Sequence, residues 1–309
     1  MRILFMGSPK FALPVLKNLI DSQHDLVAIY TQPDKPAGRG NKMTSPAIKL
    51  FAEGLGFKVH QPSSLKDPKI LQEASQLNPD LIVVAAYGKL IPKELLLIPR
   101  YGCWNLHPSL LPEYRGPSPV VSAILDGKIT TGVTLMQMDE GLDTGPIISQ
   151  EKIRIDINES VKKCTEKLFA IGADMLIKNL PDLISGTVIS KPQINAFATT
   201  TKLVKKSDGL IDWHTSAEQI IRMERAYRPW PGIYTKWGNK IVKILEVKLH
   251  RLDQVCESPG KVEKVNDNII VQTGKGSLIV CKLQLEGKSQ VSGIEFISGY
   301  PDFINSKLQ

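Results

Sequence analysis

Leu81-Ile82-Val83-Val84-Ala85-Ala86 is a continuous apolar run with no polar alternation. A strand with one wet face alternates, so a run of this kind predicts a strand covered on both faces. Ile3–Met6 and Leu26–Tyr30 read the same way, and Cys103–Leu106 and Val133–Met138 supply two further strands. Between these runs lie segments with helical spacing: Phe11–Ile20, Ala47–Glu53 and Pro68–Leu77. The last has Asp67 as its N-cap, and Pro68 stands at the first helical position, where a missing N–H does no harm. Apolar strands alternating with helices predict an α/β domain on a mostly parallel sheet, with helices on both faces. Ser160–Leu183, apolar at Val161, Cys164, Leu168, Ile171, Met175 and Leu176, reads as a long amphipathic helix closing that domain.

Outside this block the pattern changes. Ser190–Lys206 is polar and aperiodic, includes Thr199-Thr200-Thr201, and reads as a linker. Beyond it come one helix, Ala217–Ala226, and short strand runs at Ile241–Val247, Gly260–Val265, Ile269–Thr273 and Leu278–Leu285. Asn266-Asp267-Asn268 and Gly274-Lys275-Gly276 punctuate them as turns. Closely spaced short strands predict a small barrel. The expected division is a first domain over 1–189, a linker over 190–206 and a second domain over 207–309. A chain of 309 residues is long enough for two cores.

The formal net charge of +8 is uneven: residues 1–200 carry 22 Lys and Arg against 19 Asp and Glu, and residues 201–309 carry 17 against 12. The excess in the shorter part fits an anionic partner such as RNA, or equally a basic surface kept for solubility. None of Cys103, Cys164, Cys256 and Cys281 forms a CxxC pair, so neither a zinc site nor a redox motif is supported, and sparse cysteines suit a reducing cytoplasm. The opening Met1–Met6 is apolar only briefly before Gly7-Ser8-Pro9, which predicts no signal peptide, and no run approaches a membrane span. No GxGxxG or Walker sequence supports nucleotide-dependent redox or kinase chemistry.

Three segments could carry chemistry. In Asn105-Leu106-His107-Pro108, residues two apart on a strand present an amide and an imidazole on one side. They would lie at the strand end where open α/β sheets bind ligands. A lone histidine more often satisfies a nearby backbone group, and both readings stay open. Ser109-Leu110-Leu111-Pro112 could line an apolar cleft for a flat ring, or be an ordinary loop before a helix at Pro117–Leu125. Met138-Asp139-Glu140-Gly141-Leu142-Asp143-Thr144-Gly145 follows a strand and gathers three acids. One of these could pair with His107 and favour its protonated form; the segment could equally be a solvated acidic turn or, less well supported, a Mg²⁺ site.

Asn-x-His-Pro-Ser-Leu-Leu-Pro at 105–112, followed by Leu-Asp-Thr-Gly at 142–145, resembles the folate-dependent formyltransferases. Their Asn, His and Asp correspond to Asn105, His107 and Asp143, and their tetrahydrofolate signature to Ser109, Leu110, Leu111 and Pro112. Gly7–Ala12, Gln32–Gly40, Asp208–Trp213, Arg228–Gly232 and Leu283–Lys288 resemble the branch of that family acting on aminoacylated tRNA. One departure is Ala196–Lys202, where that branch has Tyr-Ala-x-Lys-Ile.

The resemblance implies a Rossmann-like formyltransferase domain followed by an OB-like tRNA-binding domain. It implies 10-formyltetrahydrofolate as co-substrate, initiator methionyl-tRNA as partner, no catalytic metal, no membrane association, and a cytoplasmic monomer. It also implies direct attack of an α-amino nitrogen on the formyl carbon, with His107 and Asn105 holding the oxygen that gains charge and Asp143 orienting His107 and relaying a proton. Arg39, with Lys35 and Lys42, would contact tRNA phosphates from a loop over Asp34–Thr44 too irregular to be helix or strand; without the resemblance it reads equally as a mobile surface loop. Lys202, Lys205 and Lys206 are further candidates for the RNA backbone, or a solvated charge run. Leu90 and Ile91 would help wall the folate pocket, and Trp213, Trp230 and Trp237 read as core residues before stacking surfaces. The other readings are a sugar formyltransferase or formyltetrahydrofolate hydrolase, against which the basic second part and the Gly38-Arg39-Gly40 loop argue, and a non-catalytic RNA-binding protein, against which the intact trio argues.

Overall fold

The computed structural model describes residues 1–37, 40–255 and 258–309. The chain forms two compact units. The first comprises Met1–Pro119, Thr130–Arg154 and Lys163–Lys202; the second comprises Val120–Ile129, Ile155–Lys162 and Leu203–Gln309.

The strands of the first unit are β1 (Arg2–Gly7), β2 (Asp25–Tyr30), β3 (Lys35–Ala37), β4 (Lys42–Thr44), β5 (Val59–His60), β6 (Leu81–Ala85), β7 (Cys103–His107), β8 (Thr130–Gln137) and β9 (Ile147–Arg154). Along the same stretch run α1 (Leu13–Ile20), α2 (Ala47–Gly54), α3 (Pro68–Gln76), α4 (Lys93–Leu96), α5 (Pro119–Leu125) and α6 (Val161–Ser185). The main sheet has the order β5-β2-β1-β6-β7-β8-β9. β5 through β7 are parallel, and every residue of β6 is buried, as a continuous apolar run requires. Asp67 caps α3 by accepting a hydrogen bond from the Lys69 amide at 3.0 Å, with Pro68 in the first turn.

One face of this sheet packs Leu4, Met6, Tyr30, Ile82, Val84 and Cys103 into a core with Tyr87, Ile91 and Leu95, joined by Ile70 and Leu71 of α3. Burying such a side chain fully contributes about 1.5–3 kcal/mol. On the other face Gly172 of α6 lies against Leu106 and Val133; a Cβ there would sit 3.1 Å from Val133. The absence of a side chain at this position lets the helix approach β7 and β8.

Two features of this unit differ from the sequence reading. β8 occupies the expected position but runs antiparallel to β7, and β9 adds a second antiparallel pair. The strand over β9 escapes an apolar-run criterion because its centre, Gln150-Glu151-Lys152, is exposed on the sheet's edge. The segment Asp34–Thr44 also contains regular structure: β3 and β4 pair antiparallel, Lys35 with Thr44 and Pro36 with Met43.

The second unit contains α7 (Ala217–Tyr227), β10 (Ile233–Trp237), β11 (Lys240–Val255), β12 (Val262–Val265), β13 (Asn268–Gln272), β14 (Lys275–Leu285), β15 (Gln290–Ser292) and α8 (Gly293–Gly299). The sheet order is β10-β11-β14-β13-β12, with β15 on β14, all antiparallel. The C-terminal residues bridge its two edges. Val262 donates to the Ser306 carbonyl and Leu308 to that of Gly260, both at 2.9 Å, while Lys236 and Gln309 exchange backbone bonds at 2.9 and 3.0 Å. The hydrogen bonding therefore runs from β12 through the tail to β10, and neither edge is left as a free template.

Trp213 is buried and donates from Nε1 to Thr235 Oγ1 at 2.9 Å, as a core tryptophan should. Trp237 joins Phe296, Tyr300 and Phe303 in a mostly edge-to-face cluster. Trp230 corrects the core reading: it is 59% exposed, in the proline-flanked turn after α7. The two short excursions into this unit are tied down by α7. Arg225 donates to the carbonyls of Glu159 and Asp156, each at 3.0 Å, and Gln219 donates to that of Leu125 at 3.2 Å.

Candidate active site

Cys103, Asn105 and His107 share one face of β7 by strand parity. Cys103 lies in the core cluster, and burial pushes its thiol up to about 12, which makes it a packing residue rather than a nucleophile. Further along the strand Asn105 is half-buried, and its side chain has no hydrogen-bond partner among the described residues. His107, at the strand's end, is 4% exposed.

Asp143 reaches His107 by a route the sequence reading did not foresee. Because β8 is antiparallel, Thr134 pairs with His107 while Gln137 pairs with Trp104. The end of β8 therefore points away from His107, and the premise of two neighbouring strand ends is corrected. The loop after β8 returns along the sheet instead. Asp139 Oδ1 accepts from the Gly141 amide at 3.0 Å and the Thr144 hydroxyl at 2.6 Å, folding the loop on itself. A Cβ at Gly141 would meet Thr144, and one at Gly145 would meet the Gln137 carbonyl. Asp143 sits at φ 54°, a conformation that Asp tolerates better than most side chains. Its Oδ2 then lies 3.5 Å from His107 Nδ1 and accepts from the Gly116 amide at 2.8 Å.

The other ring nitrogen, His107 Nε2, lies 2.9 Å from the Tyr114 carbonyl, which is aimed by a positive φ of 60° at Tyr114. Both nitrogens thus face oxygen atoms, one of a carboxylate and one of a backbone carbonyl. The backbone partner and the carboxylate partner are both present, so the two readings of His107 are not exclusive.

Ser109-Leu110-Leu111-Pro112 is woven into the sheet. Thr134 Oγ1 donates to the Ser109 carbonyl at 2.6 Å and accepts from the Leu111 amide at 3.2 Å; Gln150 donates to the Leu111 carbonyl at 2.9 Å. The buried Ser109 hydroxyl donates to the Glu113 carbonyl at 2.7 Å, and Leu111 is also buried. Leu110 packs over Gly132 of β8 and, with Pro112, remains half-buried, so these two are the members of the segment that a ligand can reach. Of the other pocket candidates, Ile91 is buried in the core and Leu90 is 77% exposed. An open cavity of about 690 Å³ lies at the opposite end of β7, among Lys93, Trp104, Gln137 and Leu183, and none of Asn105, His107 and Asp143 lines it.

The segment read as a linker is the largest omission of the sequence reading. Lys191 pairs with Ile147, and Thr200 with Arg115. Thr199 Oγ1 accepts from the Tyr114 amide at 2.8 Å and Thr201 Oγ1 from that of Ser118 at 3.1 Å. Gln193 joins the Asp143 loop to Arg115. Residues 191–201 form a strap across both loops that meet at His107. Its three consecutive threonines, with Gln193 and Asn195, were the available signal, since such side chains build irregular structure through hydrogen bonds.

Lys35 and Lys42 are exposed on β3 and β4, and Lys202, Lys205 and Lys206 are exposed after the strap. Arg39 and Gly38 lie outside the described residues, as does Cys256. At the hairpin's foot Asp34 accepts from Gln61 at 2.7 Å, and from Lys49 and Ser45 each at 2.9 Å. These bonds, that from Gln61 foremost, hold its carboxyl below the usual aspartate range. Among the described residues no group of three or more His, Cys, Asp or Glu is suited to a metal, and no helix is long and apolar enough to cross a membrane.

Residues 1–180 match the formyl transferase family and residues 203–301 the formyl transferase C-terminal domain. The methionyl-tRNA formyltransferase of Geobacter metallireducens is 42% identical over 298 residues, which cover 96% of this chain and 95% of that protein. That of Chloroflexus aurantiacus is 42% identical over 301 residues, 97% of each. The chain belongs to the methionyl-tRNA formyltransferase family. The wider formyltransferase fold is shared with WlaRD, a sugar 3N-formyl transferase crystallised with dTDP and 5-N-formyl-THF, at a TM-score of 0.66 and 19% identity over 94% of this chain and 99% of that one. HypX from Aquifex aeolicus in complex with tetrahydrofolic acid aligns at a TM-score of 0.66 and 16% identity; 98% of this chain spans only 48% of its length. In this member of the methionyl-tRNA formyltransferase family, Asn105 and His107 share one face of β7, and Asp143 meets His107 at the strand's end.

Proposed function

We propose that this chain transfers the formyl group of 10-formyltetrahydrofolate to the α-amino group of methionine on initiator tRNA. The observation that carries the reading is the Asn105 amide, without a hydrogen-bond partner among the described residues, beside a histidine whose two nitrogens face a carboxylate and a carbonyl, in a chain 42% identical to named relatives. That donor set fits a carbonyl that is gaining charge.

In the proposed reaction the neutral amine nitrogen bonds to the formyl carbon, and the carbonyl π pair moves onto oxygen. Asn105 donates to that oxygen at once. His107 joins it by exchanging its Nε2 bond to Tyr114 for one to the substrate, while Asp143 holds Nδ1. The oxygen lone pair then re-forms the carbonyl as the bond to folate nitrogen breaks, and the proton lost by the amine passes to that nitrogen through the His107–Asp143 pair. α-Amino groups titrate near ~7.7–8.0, so a neutral fraction exists near neutral pH. Leu110 and Pro112 are the accessible candidates of the folate segment, with Ser109 and Leu111 supporting them from below.

The same reading makes 1–189 the catalytic part and 207–309 an OB-like tRNA-binding domain, with 190–206 between them. It assigns Lys35, Arg39 and Lys42 to tRNA phosphates and sets the protein in the cytoplasm as a monomer. The test is formyl transfer from 10-formyltetrahydrofolate to initiator methionyl-tRNA, with elongator methionyl-tRNA, uncharged tRNA and an amino-sugar nucleotide as other acceptors. Product with the initiator tRNA alone is expected. No product with it, or product with the sugar nucleotide instead, contradicts the reading.

A further inference from the structure

The strap over residues 191–201 contains one side chain that contacts both halves of the site. Gln193 Oε1 accepts from Arg115 Nε at 3.0 Å and from Arg115 Nη2 at 2.8 Å. Its Nε2 donates to the carbonyls of Asp143 at 2.8 Å and of Gly145 at 2.7 Å. The amide's orientation is fixed by chemistry, since a guanidinium can only donate and a carbonyl can only accept. Arg115 is 8% exposed and has no carboxylate partner among the described residues; its other acceptor is Asn195 Oδ1 at 2.9 Å. Arg115 adjoins both Tyr114, whose carbonyl meets His107 Nε2, and Gly116, whose amide meets the Asp143 carboxylate. Gln193 therefore ties the backbone on either side of Thr144 to the residue lying between the two groups that fix His107 and Asp143.

We propose that Gln193 is a positioning residue for the transfer reaction: it holds the Asp143 carboxylate in register with His107 through the Asp143 and Gly145 carbonyls. The inference rests on the roles proposed above for His107 and Asp143. The bridge demands an acceptor and a donor on one terminal group. Glutamate in its place would still accept from Arg115 but would set a carboxylate against two carbonyl oxygens. Alanine would leave those carbonyls without their donor. Gln193 lies half-buried on a surface strap, where such changes leave the core intact.

The test is steady-state and single-turnover formyl transfer by the full-length chain as Gln193→Ala, Gln193→Glu, Asp143→Asn and Gln193→Ala/Asp143→Asn, each across neutral pH. Gln193→Ala should lower kcat by about tenfold, a coupling of ordinary size for residues in one hydrogen-bond network. KM for folate and for tRNA should stay unchanged, while the pH profile of kcat moves because the histidine's partner is less firmly held. Gln193→Glu should lose at least as much, although it keeps the contact to Arg115. In the Asp143→Asn background the alanine change should add nothing. Three results would overturn the inference: full kcat in Gln193→Glu, which would make the residue a fastener of the strap alone; an unmoved pH profile in Gln193→Ala; or losses that add with those of Asp143→Asn. A fully active Asp143→Asn would instead remove the role proposed for Asp143, and the inference with it.

Discussion

The loop that carries Asp143 and the hairpin that carries Lys35 and Lys42 are both polar excursions from the same sheet, yet they are held in opposite ways. The Asp143 loop is bonded along its length: through Asp139 to its own backbone and Thr144, through Gln193 at two carbonyls, and through Gly116 at the carboxylate itself. The hairpin is fastened at its foot, where Asp34 gathers Lys49, Ser45 and Gln61; above it Lys35, Lys42 and a 60% exposed Met43 face solvent. The difference matches the two tasks proposed. A developing charge must meet donors already in place, because misplacement costs rate. A phosphate backbone is met by long cationic side chains whose contribution is largely electrostatic.

Changes in the tightly held loop and on the strand β7 beside it should produce the largest effects and act on rate. Asn105→Ala and His107→Ala should each lower kcat by about 10²–10³, the cost of removing one oxyanion donor. His107→Ala combined with Asp143→Asn should lose clearly less than the product of the single losses, because the two act as a unit. Steady-state kinetics of the four enzymes checks both expectations, and additive losses in log(kcat/KM) would break the pairing.

Changes to the cations of the Asp34–Thr44 segment should be smaller and act on affinity. Lys35→Ala, Arg39→Ala and Lys42→Ala should each weaken tRNA binding and flatten the dependence of log K on log salt by about 1, with kcat retained. A tRNA titration across salt concentrations measures this. Unchanged slopes would remove these cations from the RNA contact.

The foot of the hairpin should give the smallest effect. The folded-state value of Asp34 is depressed, so its bonds to Gln61 and Lys49 add stability above the ordinary aspartate value. That stability fades as pH falls through the lowered one. Asp34→Asn should therefore melt below the wild type at neutral pH, and the two should converge in the acid range below about 4. A gap in Tm that persists in acid would mean the network depends on shape rather than on charge.

What could be read in the sequence follows the kind of force that builds each part. Continuous burial leaves a mark, so β1, β6 and the Asp67–Pro68 start of α3 were legible. Strand direction leaves none: Val133–Met138 reads alike whether β8 runs parallel or antiparallel to β7, and that direction decides how Asp143 returns to His107. The motif residues were legible through family resemblance, whereas the strap was not. Gln193, Thr199 and Thr201 act through side-chain hydrogen bonds to backbone atoms distant in sequence, and such bonds have no period. Trp230 was misread for a related reason, because aromatic character predicts a core place on average while the local chain leaves it exposed.

The most direct test of a rate-setting site separate from an RNA-holding one is single-turnover formyl transfer by His107→Ala at saturating methionyl-tRNA, paired with a tRNA binding isotherm for the same variant. The expected result is a rate lowered by about 10²–10³ with tRNA affinity unchanged. A retained rate accompanied by weakened tRNA binding would contradict it.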